Sequence, residues 1–309
     1  MIKRTLYFGN PAYLSTTQDQ LIVRLPEVEK NASLPDHFKK EVHATIPIED
    51  IGVVILDHQQ ITFSHALMAK LLANNVAFIT CDTTHHPTGL MLNLDGHTLQ
   101  SQRFQAQLEA TEPLKKQLWQ QTIKAKIQNQ AAVLQMQGFD IQNMLHWADN
   151  VKSGDPENLE GRASAWYWKN IFGNTSGFIR HPAGSPPNNL LNYGYAILRA
   201  TTARALVGSG LLPTLGIFHR NQYNAYCLAD DVMEPYRPFV DRLVLSILKD
   251  ETPAEELTPA IKKKLLVLPA QDVLLQKETS PLMIALQRTT ASLAKCFLGE
   301  TRKIIYPDI

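Results

Sequence analysis

Hydrophobic positions form short runs and alternations in the first hundred residues, whereas later they recur every three to four residues. Alternation with β-branched and aromatic residues is typical of strands. The sequence predicts a β-meander before residue 25, a helix over 64–73 with Ser64 as its N-cap, and a hairpin at 89–96 with an Asp-Gly turn. The predicted strands lie at 5–8, 12–14, 21–25, 45–48, 51–56 and 76–80.

The helical periodicity begins at Leu99 and continues in a Gln- and Lys-rich background as far as Gly138. It predicts one long helix, or two helices joined near Pro113. Further helices are expected at 140–151, 156–172, 189–208, 226 or 235 to 249, 259–266 and 281–298. The pattern therefore predicts an α+β protein, with an N-terminal β domain at residues 1–97 and a larger all-α C-terminal domain at residues 98–309.

The composition is that of a globular protein, because 44% of the 309 residues are hydrophobic and 19% are charged. No apolar run reaches the length of a transmembrane helix, so no membrane partner is expected. The first residues lack the apolar stretch of a secretory leader, which predicts a cytoplasmic protein. The cysteines are too widely separated for a Cys-x-x-Cys zinc site or a disulfide framework, and reduced thiols are expected at Cys81, Cys227 and Cys296.

Charge is distributed unevenly although the formal net charge is only +1. Residues 1–100 hold 7 Lys or Arg and 10 Asp or Glu, whereas residues 101–309 hold 23 Lys or Arg and 19 Asp or Glu. This asymmetry permits a basic face on the C-terminal part, as a nucleic-acid partner would require. Charge alone does not establish such a partner.

A run of sixteen residues from His219 to Glu234 combines an imidazole with three carboxylates. Pro235 suits the first position of a helix, so a carboxylate at Glu234 is explained equally well by the helix dipole. However, three carboxylates this close repel one another, and a bound cation would relieve the repulsion. Asp230 and Asp231 are the other two acidic residues, and we assign them supporting roles.

A third carboxylate, Glu160, lies in a separate aromatic segment beside Gly161 and Arg162. A helical Glu is usually a solvated surface residue, and His219 after an apolar segment could be a satisfied core residue. Carboxylates with one imidazole suit Mg²⁺ or Mn²⁺, and neighbouring guanidinium groups suit phosphate. The sequence shows no nucleophile motif or phosphate loop, so the working hypothesis is metal-assisted phosphodiester transfer.

Three segments in order resemble the CRISPR-associated integrase family that acquires new spacers. They are residues 159–168 with Glu160, residues 189–198, and His219 followed by the acidic run to Asp241. The resemblance extends to the opening Thr5–Phe8 segment, and the chain length is most similar to the family members of type II systems. Residues 224–227 depart from the family pattern, because Asn-Ala-Tyr-Cys stands where many relatives have Asn-Pro-Phe.

This resemblance implies an N-terminal β-sandwich-like domain that dimerises and a helical catalytic domain. It implies that Glu160, His219 and Glu234 bind a catalytic Mn²⁺ or Mg²⁺ ion. The implied activity is a metal-dependent DNA endonuclease and integrase, in which the 3′-hydroxyl of a captured DNA fragment attacks a phosphodiester at the end of a CRISPR repeat. Double-stranded DNA, a second copy of the chain and a small ferredoxin-like adaptation protein are the implied partners.

Candidate phosphate contacts are Arg103, Arg162, Arg220 and Arg237, and candidate site-shaping residues are Asn192, Tyr193 and Tyr195. For any of these, packing or surface exposure is a simpler explanation. Two other functions remain open at this point. One is a non-catalytic DNA-binding scaffold of an adaptation complex, and the other is a helical adaptor that uses residues 99–137 for protein contacts.

Overall fold

The computed structural model describes residues 3–26, 44–172, 178–250 and 255–309. The chain divides into two compact units, residues 1–96 and 97–309, and each unit has its own buried core. None of the helices within the described ranges is long and apolar enough to cross a membrane.

Within its described residues, 3–26 and 44–96, the N-terminal unit contains two four-stranded sheets, one α-helix and a 3₁₀ turn at Ile48–Asp50, which agrees with the mainly β region that the alternating pattern predicts. The helix α1 begins after Ser64, whose Oγ accepts a hydrogen bond from the Leu67 amide, as expected of an N-cap. The elements are β1 (Arg4–Phe8), β2 (Ala12–Thr17), β3 (Gln20–Arg24), β4 (Ala44–Pro47), β5 (Ile51–Leu56), β6 (Ile61–Phe63), α1 (His65–Ala73), β7 (Ala77–Cys81) and β8 (Pro87–Met91).

One sheet has the order β1-β5-β7-β8 and the other has the order β4-β3-β2-β6. The expected meander of the first three strands is wrong at β1, which pairs in parallel with β5 in the other sheet. Every residue of β5 is buried, and such a strand requires a neighbour at each edge. β1 and β7 provide these neighbours, both in parallel.

The expected hairpin at 89–96 is also wrong. β8 pairs antiparallel with β7, and Asp95 and Gly96 lie outside the strands. Gly89 permits this pairing, because a Cβ there would lie 2.2 Å from Thr80 Oγ1. Close approach to the neighbouring strand, rather than a turn, accounts for this glycine.

Apolar side chains from both sheets and from α1 form a single core in the N-terminal unit. Strands β2 and β3 of the second sheet contribute alternate residues, since one face of each is buried and the other is not. The core residues are Ala12, Leu14, Leu21, Val23, Ile48, Ile51, Val54, Leu56, Leu67, Leu71, Val76 and Phe78.

The C-terminal unit is mainly helical. The periodic segment after Leu99 forms two helices, and the second begins at Glu112 with Thr111 as its N-cap and Pro113 in its first turn. The helices are α2 (Gln100–Leu108), α3 (Glu112–Met136), α4 (Gln142–Asn150), α5 (Leu159–Asn170), α6 (Asn188–Gly208), α7 (Cys227–Met233), α8 (Arg237–Asp250), α9 (Pro259–Leu265) and α10 (Leu282–Phe297).

The expectation that this unit is all-α is wrong, because β9 (Asp272–Leu275) and β10 (Glu278–Pro281) form an antiparallel hairpin. The turn between them is made by Gln276 and Lys277, both with positive φ. Two-residue hairpin turns of this kind normally carry Asn or Gly, so the sequence lacks the usual signal.

Helix α3 lies at the centre of the C-terminal unit and packs against α4, α5 and α8. It also contacts a 3₁₀ turn at Glu234–Tyr236 that joins α7 to α8. Asn129 fixes this turn, because its Nδ2 donates to the carbonyl oxygen of Pro235 at 2.8 Å and to that of Pro307 at 3.0 Å. Helix α3 thereby positions the acidic end of the sixteen-residue run.

Helices α6 and α8 approach closely at Gly194, where a Cβ would lie 2.4 Å from Val240 Cγ1. Alanine usually stabilises a helix interior relative to glycine, by about 0.5–1 kcal/mol. We expect Gly194→Ala instead to lower the free energy of unfolding by about 1–3 kcal/mol, because the new methyl group overpacks this contact. Chemical denaturation of the full chain measures the change.

Val240→Ala provides the matched variant for this contact. The double variant should lose less stability than the two single variants together, since the shorter side chain makes room for the added methyl group. A stability gain in Gly194→Ala alone would show that the two helices are not in tight contact at this position.

Candidate active site

Glu160 lies in the first turn of α5, at a helix N-terminus that is capped by its own loop. Asn158 Oδ1 accepts from the Gly161 amide at 3.2 Å, and the Asp155 carboxylate accepts from the Leu159 and Glu160 amides, each at 2.9 Å. A Cβ at Gly161 would lie 2.6 Å from the Asn158 side chain, so the glycine permits this cap. The Glu160 side chain remains 31% exposed, which makes it the accessible carboxylate of the site.

Glu234 opens the 3₁₀ turn between α7 and α8 and is buried, with 8% of its side chain exposed. Its Oε1 accepts from Arg237 Nε at 2.7 Å. Desolvation raises the pKa of this carboxyl, but the charges of Arg237 and Lys126 outweigh it and lower the pKa to about 2. Glu234 is therefore ionised in the interior of the protein.

Lys126 joins the two glutamates. Its Nζ lies 2.5 Å from Glu160 Oε1 and 2.6 Å from Glu234 Oε2, and its side chain is 9% exposed. Desolvation lowers the pKa of Lys126, but the two carboxylates outweigh it, so the pKa is raised and the ammonium stays charged. No sequence signal singled out Lys126, although it lies in the buried stripe of α3 with Ile123 and Ile127.

His219 is oriented by Asp231 of α7. Its Nδ1 lies 2.5 Å from Asp231 Oδ1, and the buried carboxylate also accepts from the Phe218 amide at 2.9 Å. The hydrogen bond from His219 to Asp231 raises the pKa of His219, against desolvation. Because Nδ1 is engaged in this bond, Nε2 is the ring nitrogen left for a ligand. This contact is consistent with the supporting role expected for Asp231, which holds the imidazole in place.

Gly216 allows the His219 loop to fold onto α7. A Cβ at this position would lie 2.4 Å from the backbone oxygen of His219 and 2.7 Å from Asp231 Oδ2. Two aromatic rings support the loop: Trp119 of α3 stacks on Phe218 with centroids 4.2 Å apart and meets the edge of the His219 ring at 5.5 Å. The imidazole is thereby held against the same helix that carries Lys126.

The three predicted metal ligands thus come from three segments, and each ligand contacts a residue of α3: Lys126 or Trp119. Glu160 and Glu234 are linked through Lys126, and both carboxylates contribute electrostatically to the raised pKa of His219. Among the described residues, no three His, Cys, Asp or Glu side chains are arranged closely enough to hold a metal ion. The donor set itself fits Mg²⁺ or Mn²⁺, and the buried Glu234 Oε2 has no hydrogen bond of good geometry.

The four candidate phosphate-binding arginines have different environments. Arg237 is committed to Glu234, and Arg103 donates from Nη1 to the Ser209 carbonyl oxygen at 2.8 Å. Arg220 is 63% exposed and lies 2.5 Å from Glu112. Arg162 is exposed near the start of α5. Arg220 and Arg162 are therefore the two that remain accessible to a ligand.

Tyr195 belongs to a buried polar cluster around Asp241. The Tyr195 and Tyr167 hydroxyls both donate to the Asp241 carboxylate, the latter at 2.8 Å, and the Arg237 guanidinium lies 4.7 Å from the centroid of the Tyr195 ring. Burial raises the pKa of Asp241 to about 6, although both tyrosines and two arginines oppose this shift. Arg237 therefore contacts both this cluster and Glu234.

The other two predicted site-shaping residues lie in α6 and have structural contacts. Asn192 accepts from Arg180 Nη2 at 2.8 Å and donates to the Pro182 carbonyl oxygen at 2.7 Å. Tyr193 is fully buried, and Lys262 Nζ lies 5.8 Å from the centroid of its ring. Tyr195 thus contacts Arg237, which in turn binds Glu234.

A pocket of about 420 Å³ opens beside His219. Its walls come from α2, the start of α3 and the loop that carries His219. Most of its polar residues are amides and cations, and its one carboxylate, Glu112, is paired with Arg220; the polar lining is Gln107, Asn221, Gln222, Asn224, Lys115, Arg220, Glu112, Thr214 and His219. Such groups suit a phosphate or a nucleobase.

The comparisons agree with the resemblance found in the sequence. The profile of the family described as CRISPR associated protein Cas1 matches residues 7–258. The chain is 34% identical over 294 residues to the CRISPR-associated endonuclease Cas1 of Neisseria meningitidis serogroup C (strain 8013), covering 94% of this chain and 91% of that protein.

Solved structures show the same fold. A casposase bound to integration product matches with a TM-score of 0.76 and 21% identity, covering 98% of this chain and 92% of that chain. A chain of a Cas6-RT-Cas1–Cas2 complex matches with a TM-score of 0.70 and 20% identity, covering 97% of this chain and 35% of the other. The match of the family profile and the similarity to the Neisseria protein show that the chain belongs to the CRISPR-associated Cas1 family.

Proposed function

We propose that this protein is a metal-dependent DNA endonuclease and integrase of CRISPR adaptation. In the proposed reaction, the 3′-hydroxyl of a captured DNA fragment attacks the phosphodiester at a repeat end, and the 3′-hydroxyl of the cleaved strand is released. The observation that carries the proposal is the pair of carboxylates, Glu160 and Glu234, held together by a cation beside an oriented imidazole. Membership of the Cas1 family supports a role of this pair in CRISPR adaptation.

Glu160, Glu234 and Nε2 of His219 would hold one Mg²⁺ or Mn²⁺ ion. When bound, that ion supplies a Lewis acid for the phosphate and stabilises charge on the leaving oxygen. Asp231 fixes the His219 ring through Nδ1, and Arg237 holds Glu234 in its ionised form. Because DNA supplies the attacking hydroxyl, the protein needs no nucleophile of its own.

The proposed partners follow from the family and from the accessible basic residues. Arg220, Lys115 and the amides of the pocket beside His219 suit a DNA strand end. The N-terminal unit, whose two sheets share one core, would act as a sandwich-like dimerisation domain. One solved structure of this fold is named as a Cas6-RT-Cas1–Cas2 complex, and this supports a second adaptation protein as a partner. We propose that this partner is the small ferredoxin-like protein that the family resemblance implies.

The assigned ligands should be indispensable for strand transfer. Glu160→Gln, His219→Ala and Glu234→Gln are each expected to reduce integration at least about 100-fold, because each removes a donor to the catalytic ion. The measurement is integration of a short duplex with 3′ overhangs into a repeat-bearing plasmid, with Mn²⁺ and the small partner protein. Glu157→Gln is the control, since Glu157 is an exposed carboxylate three residues before Glu160 and pairs with Lys152.

Retained integration in Glu160→Gln would refute the ligand assignment. If the wild-type protein binds DNA tightly but transfers no strand with either metal, the chain is instead a non-catalytic DNA-binding scaffold. Failure to bind DNA at low salt would favour the helical adaptor.

We expect Asp231 to increase the affinity of the protein for the metal ion by orienting His219. Asp231→Asn removes the carboxylate that orients His219. Loss of a group that hydrogen-bonds to a metal ligand usually lowers metal affinity about 10–100-fold. Mn²⁺ titration followed by electron paramagnetic resonance should show this loss while DNA affinity without metal stays unchanged. An unchanged Mn²⁺ affinity would mean that the orientation of His219 does not matter for metal binding.

Arg220 should contact a phosphate. Arg220→Ala is expected to weaken DNA binding similarly for all sequences and to reduce the slope of log K against log salt by about 0.9. Arg288→Ala is the matched control, because Arg288 is also exposed and paired with a glutamate, Glu278. Identical salt slopes for the two variants would remove Arg220 from the DNA interface.

A further inference from the structure

The space between the two glutamates is filled by the ammonium group of Lys126. We propose that Lys126 is a built-in counter-ion, which holds Glu160 and Glu234 together in the metal-free protein and which a divalent ion must displace on binding. The inference rests on the proposed metal site. It assigns Lys126 to metal affinity rather than to the chemical step.

Shared oxygen atoms are the first argument for this displacement. Glu160 Oε1 and Glu234 Oε2 lie 2.5 and 2.6 Å from Nζ. A divalent ion bound by these same oxygens would occupy the position of the ammonium, and two cations cannot share it. The ammonium and the ion therefore compete for one site, and the apparent metal affinity is lower than the carboxylates alone would give.

Burial is the second argument. Lys126 and Glu234 are each less than one-tenth exposed, and an unpaired buried charge is strongly unfavourable. Arg237 donates to Oε1 of Glu234. The other oxygen, Oε2, and the carboxylate of Glu160 both pair with Lys126. Without a cation in this position, the two carboxylates would repel each other, and the start of α5 would separate from the 3₁₀ turn.

The displaced ammonium group of Lys126 can move toward solvent. Glu160 is 31% exposed, so the site reaches solvent on that side. The flexible four-carbon stem of lysine can carry Nζ outward without moving α3. The proposal therefore predicts that metal binding makes Lys126 more accessible while the helix stays in place.

The test compares Lys126→Met with Lys124→Met in the full chain. Lys124 lies on the same helix and makes an exposed ion pair with Asp149 at 2.9 Å. We expect Lys126→Met to lower the melting temperature without metal but to bind Mn²⁺ at least about tenfold more tightly, because the competing cation is gone. Mn²⁺ should therefore raise its melting temperature more than that of the wild-type protein. Lys124→Met should match the wild-type protein in both measurements.

A second measurement uses the wild-type protein and avoids any folding defect of the variant. Acetylation of lysines by a limiting reagent, followed by mass spectrometry, should show that saturating Mn²⁺ increases labelling of Lys126 and leaves labelling of Lys124 unchanged. Unchanged or reduced labelling of Lys126 would overturn the proposal. So would a Lys126→Met protein that binds Mn²⁺ no more tightly than the wild-type protein, as a purely structural role predicts.

The two proposals fail differently in these experiments. If the wild-type protein binds no Mn²⁺, or if binding survives Glu160→Gln, the proposed metal site is wrong. If Mn²⁺ binding depends on Glu160 but not on the charge at position 126, the metal site stands and the counter-ion role of Lys126 is wrong.

Discussion

The burial of ionised Glu234 is the constraint on which the geometry of the site depends. A carboxylate in the interior must be paired, and here Arg237 and Lys126 each take one of its oxygens. This requirement places a lysine in the buried stripe of α3 and an arginine one turn after the glutamate. It also brings the start of α5 to the same point, since Lys126 binds Glu160 as well. The site is therefore assembled by charge compensation across three segments that lie far apart in the sequence.

A second buried carboxylate, that of Asp231, fixes the imidazole of His219. Asp231 is buried against the His219 loop and accepts from both the ring and the backbone of that loop. Gly216 makes this packing possible, and Trp119 covers one side. The ion pair of Lys126 with the two glutamates and the hydrogen bond between Asp231 and His219 thus flank the position where a divalent ion would bind, with helix α3 behind both. A phosphodiester approaching from the pocket beside His219 would meet these groups together with the exposed Arg220.

Most helices and strands could be predicted from the sequence, because the spacing of hydrophobic residues shows which face of a single element is buried. The order of the strands could not, since the partner of β1 is β5, some 45 residues away along the chain, and no local signal specifies it. The β9–β10 hairpin was missed because Gln276 and Lys277 form its turn without Asn or Gly. Glu160, His219 and Glu234 could be proposed as metal ligands from residue type and family pattern, and that assignment stays a prediction. Lys126 carried no such pattern, because its partners meet it only in the folded chain.

The most direct test of the account is a crystal structure of the protein with Mn²⁺, with the metal located by its anomalous scattering. The account predicts one anomalous peak within about 2.0–2.6 Å of carboxylate oxygens of Glu160 and Glu234 and of Nε2 of His219, with the ammonium of Lys126 moved away from it. A peak elsewhere, or an ordered Lys126 that still bridges the two glutamates at saturating Mn²⁺, would contradict the account.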